Sequence, residues 1–229
     1  MSAPTDGPVL LTVRGTIIPS TLEAGRVLHN ETAGSAPGIA AARALGDLSH
    51  KVYSPAASKL SGAKSGELLF IDRWVDAMGI MNFFSNAHVQ EQGGRMFSAR
   101  TPTVWMSARG SFSVHLPAPA AKTARHVGMV RGTIGSPEKA IEIFAAADRA
   151  ALPDARRRGL CSHEIFIRLD PPGAPAAPLE LLGLDVWCDL EGMTEHYNDQ
   201  KHMAPLSGAF TGRPDATVWD QAPGNWSEW

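Results

Sequence analysis

The chain has 229 residues, 44% of them hydrophobic and 19% charged, with a formal net charge of −2. This is enough apolar material for a globular core, and it lacks the basic excess expected of a nucleic-acid partner. Met1–Gly15 has no basic segment ahead of an apolar run, and no run approaches the roughly 20 apolar residues of a membrane span, so a cytoplasmic protein with no membrane partner is expected. Cys161 and Cys188 are the only cysteines, too few for a disulfide framework or a CxxC metal site.

Elements early in the chain have counterparts later. A β-rich run over 9–17 contains Val13-Arg14-Gly15-Thr16-Ile17, and the same five letters return as Val130–Ile134 within the run 126–134. Ser20-Thr21-Leu22-Glu23 has the Ser-x-x-Glu form of a capping box and opens a helix. Its counterpart is Ser136-Pro137-Glu138, an N-cap serine with proline at the first helical position. The helix it opens, over 137–150, carries an apolar stripe at Ala140, Ile141, Ile143, Phe144 and Ala147. Two strands follow in each part, at 48–54 and 68–75, then at 160–168 and 180–188. Ser49-His50 matches Ser162-His163. Leu68-Leu69, Asp72, Trp74, Asp76 and Gly79 match Leu181-Leu182, Asp185, Trp187, Asp189 and Gly192. Helices over 77–87 and 190–200 and last strands at 103–107 and 216–220 complete the two sets. Thr103-Val104-Trp105 matches Thr217-Val218-Trp219 in those last strands. Leu116–Ala121 reads as a linker and Pro171–Pro175 as loop punctuation.

Matches in the same order across separate blocks predict an internal duplication. The expected fold class is α+β: two ferredoxin-like βαββαβ repeats with antiparallel sheets packed as an α+β barrel. The repeats span residues 8–107 and 125–222, with a linker at 108–124 and a C-terminal tail at 223–229. In the third strands, alternation puts Leu68, Phe70, Asp72 and Trp74 on one face, as it does Leu181, Gly183, Asp185 and Trp187. One face of each sheet packs on its own helices and the other needs a partner. The duplication supplies both halves, so a monomer or homodimer is expected.

Phe70–Asp76, Phe83–Glu91 and Gly159–Phe166 carry a resemblance to a known family. With its strand ending in acidic-x-Trp and its helix ending in small-x-His, the chain resembles the antibiotic biosynthesis monooxygenase-like group of the dimeric α+β barrel superfamily. The resemblance implies a ferredoxin-like α+β fold. It offers cofactor-free oxygenation of polycyclic phenols, haem degradation or no known reaction as activities. The quinone-forming members have an asparagine four residues before the strand-three tryptophan, where this chain has Phe70 and Gly183. The axial histidine of the haem-degrading members corresponds to about Gln92, which disfavours that reaction.

His50 and His163 occupy matched strand positions, where a neutral imidazole with a pKa near 6.5 could accept a proton, oriented by Asp72 or Asp185. Trp74 and Trp187 either wall a pocket for a flat aromatic ring or fill the core. His88 and His202 follow the second helices, closing a pocket mouth or complementing the helix C-terminus. Arg14 and Arg131 share matched first-strand positions from which a guanidinium could hold a carboxylate or an enolate. No HxH or HxxxH pair, GxGxxG, Walker A, GxSxG or HExxH pattern occurs, so neither a metal nor a nucleotide cofactor is expected.

The expected function is a cofactor-independent monooxygenase-like enzyme acting on a flat aromatic or polyketide-like small molecule. The alternatives are a non-catalytic small-molecule-binding or stress-related protein, and a haem- or metal-dependent member of the superfamily. Phe70, Phe83 and Phe84 face Gly183, His196 and Tyr197 in the alignment of the halves. The second half is therefore expected to hold the roomier site; the expected catalytic residues are His163, Asp185 and His50, and the expected substrate-binding residues are Trp187, Tyr197, His196, Arg131, Trp74, His88 and His202.

Overall fold

A computed structural model describes residues 7–60, 62–115, 124–170, 173, 175 and 177–229. The expected linker at Leu116–Ala121 and most of the Pro171–Pro175 loop lie outside the described residues. The chain divides into two compact units. Unit 1 comprises Met1–Pro55, Lys64–Met106 and Gln221–Trp229; unit 2 comprises Ala56–Ala63 and Ser107–Asp220.

Unit 1 runs β1 (Val9–Ile17), α1 (Leu22–Glu31), α2 (Ala36–Ala44), β2 (Asp47–Pro55), β3 (Glu67–Trp74), α3 (Ala77–Phe84), α4 (Ala87–Met96) and β4 (Phe97–Ser107). Its strands are antiparallel in the order β4-β1-β3-β2. Unit 2 opens on the short β5 (Val114–His115). It continues with β6 (His126–Thr133), α5 (Pro137–Arg157), β7 (Leu160–Leu169), β8 (Glu180–Trp187), α6 (Leu190–Asn198), α7 (Gln200–Met203), a 3₁₀ turn over Ala204–Ala209, and β9 (Asp215–Gln221). Its strands are antiparallel in the order β9-β6-β8-β7-β5. The order β-α-β-β-α-β is thus present in each unit, with both helical segments split in unit 1 and only the second split in unit 2.

The recurring Trp-x-Asp-x-x-Gly pattern has a local cause. Asp76 caps α3 by accepting the Gly79 N–H at 2.8 Å, and Asp189 caps α6 by accepting those of Glu191 and Gly192. A Cβ on Gly79 would lie 2.0 Å from the Leu45 carbonyl, and one on Gly192 2.0 Å from that of Arg158. Only glycine lets each helix start this close to the neighbouring backbone. The tryptophans of both patterns are fully buried.

Several expected boundaries move. The N-cap of α1 is Thr21, whose hydroxyl accepts the Ala24 N–H, rather than Ser20. The expected helix over 77–87 ends at Phe84, because Asn86 caps a new helix by accepting the His88 N–H at 2.9 Å. α5 continues past 150, through Pro153, to Arg157. Ala140, Phe144, Ala151 and Ala155 on its inner face outweigh one lost helical hydrogen bond. Residues 221–229 are packed into unit 1, where Ala222 and Trp226 join the core with Val9, Leu11, Val52 and Trp74.

Candidate functional site

The site in unit 2 is assembled on two neighbouring strands. The β7–β8 register places His163 opposite Asp185. The His163 Nδ1–H meets Asp185 Oδ1 at 2.6 Å. The other Asp185 oxygen accepts the Tyr197 hydroxyl at 2.6 Å, and that hydroxyl accepts the Trp187 indole N–H at 3.3 Å. Tyr197 reaches in from α6 across Gly128 of β6, which is itself paired with Asp185. A Cβ on Gly128 would lie 2.0 Å from the tyrosine oxygen. The glycine therefore makes the network sterically possible.

On its other side His163 meets Asp148, a residue of α5 that the sequence reading did not select. Nε2 and Asp148 Oδ2 are 2.8 Å apart, an ion-pair contact not aligned as a hydrogen bond, and both atoms are buried without a hydrogen-bond partner. Burial works against a charged ring here, but Asp185 and Asp148 outweigh it and push the His163 pKa up to about 10. A raised pKa favours the charged ring, so Asp148 competes with His163 for the proton-accepting role expected of it. Burial raises the Asp148 carboxyl above the ordinary range, with His163 opposing. Burial, then Asp185, raises the Tyr197 phenol well above its usual value, so it stays a donor. His196 is held low, first by burial, and its Nδ1 is buried without a hydrogen-bond partner.

These groups surround a cavity of about 30 Å³ in a partly open cleft, lined by His163, Asp148, Asp185, Trp187 and His196 with Phe112 and small aliphatic residues at its sides. That volume takes one or two waters or the polar edge of a larger molecule. Nearby, Asp154, Asp199 and His202 bring donor atoms within 4.8 Å of one another. The Arg158 guanidinium lies 2.9 Å from Asp154 and 3.9 Å from Asp199, so this cluster reads as an ion-pair network. His163 offers no free nitrogen to a metal, since both of its nitrogens face carboxylates.

The remaining candidates are dispersed. His196 stacks on His202 and tilts against Trp187. His88 is exposed in the first turn of α4, which begins just after α3 ends. Arg131 is bound to Glu180 at 2.8 Å, as Arg14 is to Glu67, and does not line the cavity. Trp74 is a core residue of unit 1 beside Phe83. His50 lies buried in unit 1, 2.6 Å from Asp72. Gly183 does not open the space expected of it, because Val130, Phe144 and Ile165 crowd the position its side chain would take.

Asp148 had one available signal. The buried residues Ala140, Phe144, Ala151 and Ala155 define the inner face of α5, and Asp148 falls on that face. Gly128 had none, since a strand glycine does not announce which side chain needs its space.

Neither a protein-family model nor a curated protein sequence matches the chain. Solved structures do match. An anthrone oxidase-like protein aligns with a TM-score of 0.64 at 13% identity, covering 96% of this chain and 93% of its own. A chlorite dismutase variant from Candidatus Nitrospira defluvii gives 0.57 at 12%, covering 94% and 92%. A ferredoxin-fold protein related to antibiotic biosynthesis monooxygenases, from Listeria monocytogenes, gives 0.51 at 9%, covering 96% and 97%. The chain has the α+β fold of these proteins. At such identities the likeness is one of fold.

Proposed function

We propose that the chain is a cofactor-independent monooxygenase-like enzyme for a flat aromatic or polyketide-like small molecule, with its site in unit 2. The supporting observation is the set of three buried atoms without hydrogen-bond partners around one cavity: His163 Nε2, Asp148 Oδ2 and His196 Nδ1. His163 Nε2 and Asp148 Oδ2 hold each other only as an ion pair, and His196 Nδ1 costs about 1–3 kcal/mol if left unsatisfied, so the cluster makes sense where a polar group is to be bound.

A phenol or enol hydroxyl suits the pair of atoms 2.8 Å apart. It donates to Asp148 and accepts from the His163 imidazolium. Asp148, made more basic by burial, takes the proton. His163 faces the oxyanion that develops, while Asp185 and Tyr197 hold the ring in place. The anion so formed is electron-rich enough to pass electrons to O₂ directly. The aromatic body lies in the open part of the cleft between Phe112 and the aliphatic wall of α5, as the cavity itself takes only the hydroxyl edge. Two duplicated units of which only the second is functional fit this reading.

The test is oxygen uptake by the purified protein against a panel of phenolic and polyketide-like compounds, alongside binding by tryptophan fluorescence. Uptake with a bound compound, lost in Asp148→Asn, is the expected result. Binding without uptake would leave a non-catalytic binding protein.

A further inference from the structure

Both cysteines of the chain lie in unit 2, and the acid–base cluster uses neither. Cys161 sits where the β7–β8 register slips between Leu160 and Ser162, and Cys188 directly follows Trp187 at the end of β8. Both converge on one carbonyl. The Cys188 N–H donates to the Gly159 oxygen at 2.9 Å, and the Cys161 thiol donates to the same oxygen at 3.5 Å. Gly159 has φ +96°, and a Cβ there would lie 3.3 Å from Cys188 Sγ. The positive φ lets the chain turn tightly enough to bring the thiols together. Both thiols thus lie beside the Gly159 residue, and both cysteines are half-buried. Two thiols brought to one glycine at the end of adjacent strands are placed to reach disulfide geometry by side-chain rotation and a small backbone shift.

We propose that Cys161 and Cys188 form a modification site, a dithiol that hydrogen peroxide closes to a disulfide. One thiolate attacks a peroxide oxygen, the O–O bond breaks, and a sulfenic acid and one water result. The second thiol attacks that sulfur, the S–S bond forms, and the sulfenic oxygen leaves as a second water. The two sulfurs together give up two electrons, and the peroxide takes them. Burial and the neighbouring Cys188 push the Cys161 thiol up to about 11, so little thiolate is present and the pair closes slowly at neutral pH. Leu160 and Trp187, next to the two cysteines in sequence, line the cavity. The disulfide therefore fixes the ladder end that carries two of its walls.

The experiment treats the full chain with hydrogen peroxide at mildly alkaline pH, then alkylates and digests it. The expected result is a linked peptide joining Cys161 to Cys188 within one chain, an intact mass lower by two hydrogens, and full reversal by dithiothreitol. Cys188→Ser and Cys161→Ser should each stop at a dimedone-reactive sulfenic acid on the remaining cysteine. Sulfinic or sulfonic acids without the linked peptide, linkage only between chains, or two thiols that still alkylate fully would overturn the proposal.

Discussion

The two units hold the same cross-strand pair and put it in opposite surroundings. In unit 1, His50 Nδ1 meets Asp72 at 2.6 Å, as His163 meets Asp185 in unit 2. The helix residue facing the far nitrogen differs. In unit 1 it is His29, whose Nε2 lies 2.9 Å from His50 Nε2 and whose other nitrogen meets Asn30. In unit 2 it is Asp148. Phe70, Trp226 and Trp229 close against the unit 1 rings, and His50 has both nitrogens engaged. Burial and His50 drive the His29 pKa down to about 4, so one of the two rings stays neutral. The opposite strand differs as well. Leu11 pairs with Asp72 where Gly128 pairs with Asp185, so only the second aspartate has room for a tyrosine hydroxyl. A His–Asp pair is thus a packed core element in one unit and the floor of a polar cleft in the other, and its neighbours decide which.

The largest effect that would break this comparison is at Asp148. If it is the proton acceptor, Asp148→Asn lowers turnover by about 10²–10⁴-fold, measured as oxygen uptake with a compound the wild type consumes. His29→Asp in unit 1 should confer no activity, since Phe70 and Trp229 occupy the ground a substrate would need. An active Asp148→Asn protein would return the proton-accepting role to His163.

Next in size is the exchange of the residues opposite the aspartates. Gly128→Leu installs the unit 1 residue where a Cβ already lies 2.0 Å from Tyr197 Oη. Overpacking of this kind costs about 1–3 kcal/mol, and here it also displaces the hydroxyl from Asp185. Denaturant unfolding should show the lower midpoint, and a neutral result would mean that Tyr197 has another place to go. The reverse change, Leu11→Gly, should destabilise unit 1 through the cavity it leaves, without creating a polar site.

How much of this the sequence disclosed follows from the range of each interaction. The strand pairing of His163 with Asp185 was legible, because alternation and a recurring block fix register locally. Tyr197 and Trp187 were legible as neighbours for the same reason. The state of His163 was not, because it depends on Asp148, a residue from a helix whose rotation about its axis sequence constrains only through its apolar face. Gly183 misled for a related reason: a missing side chain signals space only if nothing else moves in, and Phe144 does. The broken second helix of unit 1 depended on one capping residue, Asn86, inside an otherwise helical stretch.

Smaller still is a pH effect. The folded His163 pKa of about 10 lies above the ordinary 6.5. Its pairing therefore contributes fully below pH 6.5 and is lost as pH climbs toward 10. Asp148 and Tyr197 are also raised, so both add losses of the same sign as pH rises. Unit 1 differs in acid. His29 favours its neutral form, and its contribution is lost as pH falls from 6.5 to about 4. Burial, then Asp72, raises Asp47 to about 7, which acts in the opposite sense over much of that range. Unfolding free energy should accordingly fall by something like 1–3 kcal/mol between pH 6.5 and 10 on account of His163. Because His50 is raised as well, the decisive readout is how far His163→Gln flattens the slope. An unchanged slope would show that His163 is not held protonated.

The smallest expected effect is where the units should agree. Asp76 and Asp189 cap their helices at matched positions, each followed three residues later by a glycine packed on a backbone carbonyl. Neither cap depends on the His–Asp pair, so replacing each by alanine should cost about 0.5–2 kcal/mol, or a few degrees in Tm for a chain of this size. A modest asymmetry is expected, because Asp189 accepts two backbone N–H groups, at 2.9 and 3.2 Å, where Asp76 accepts one at 2.8 Å. Asp189→Ala should thus be the more damaging of the two in thermal unfolding. Should it also reduce turnover strongly, α6 must be carrying Tyr197 and His196 out of place when its first turn frays. Asp76→Ala has no such route to the site and should leave turnover at the wild-type level.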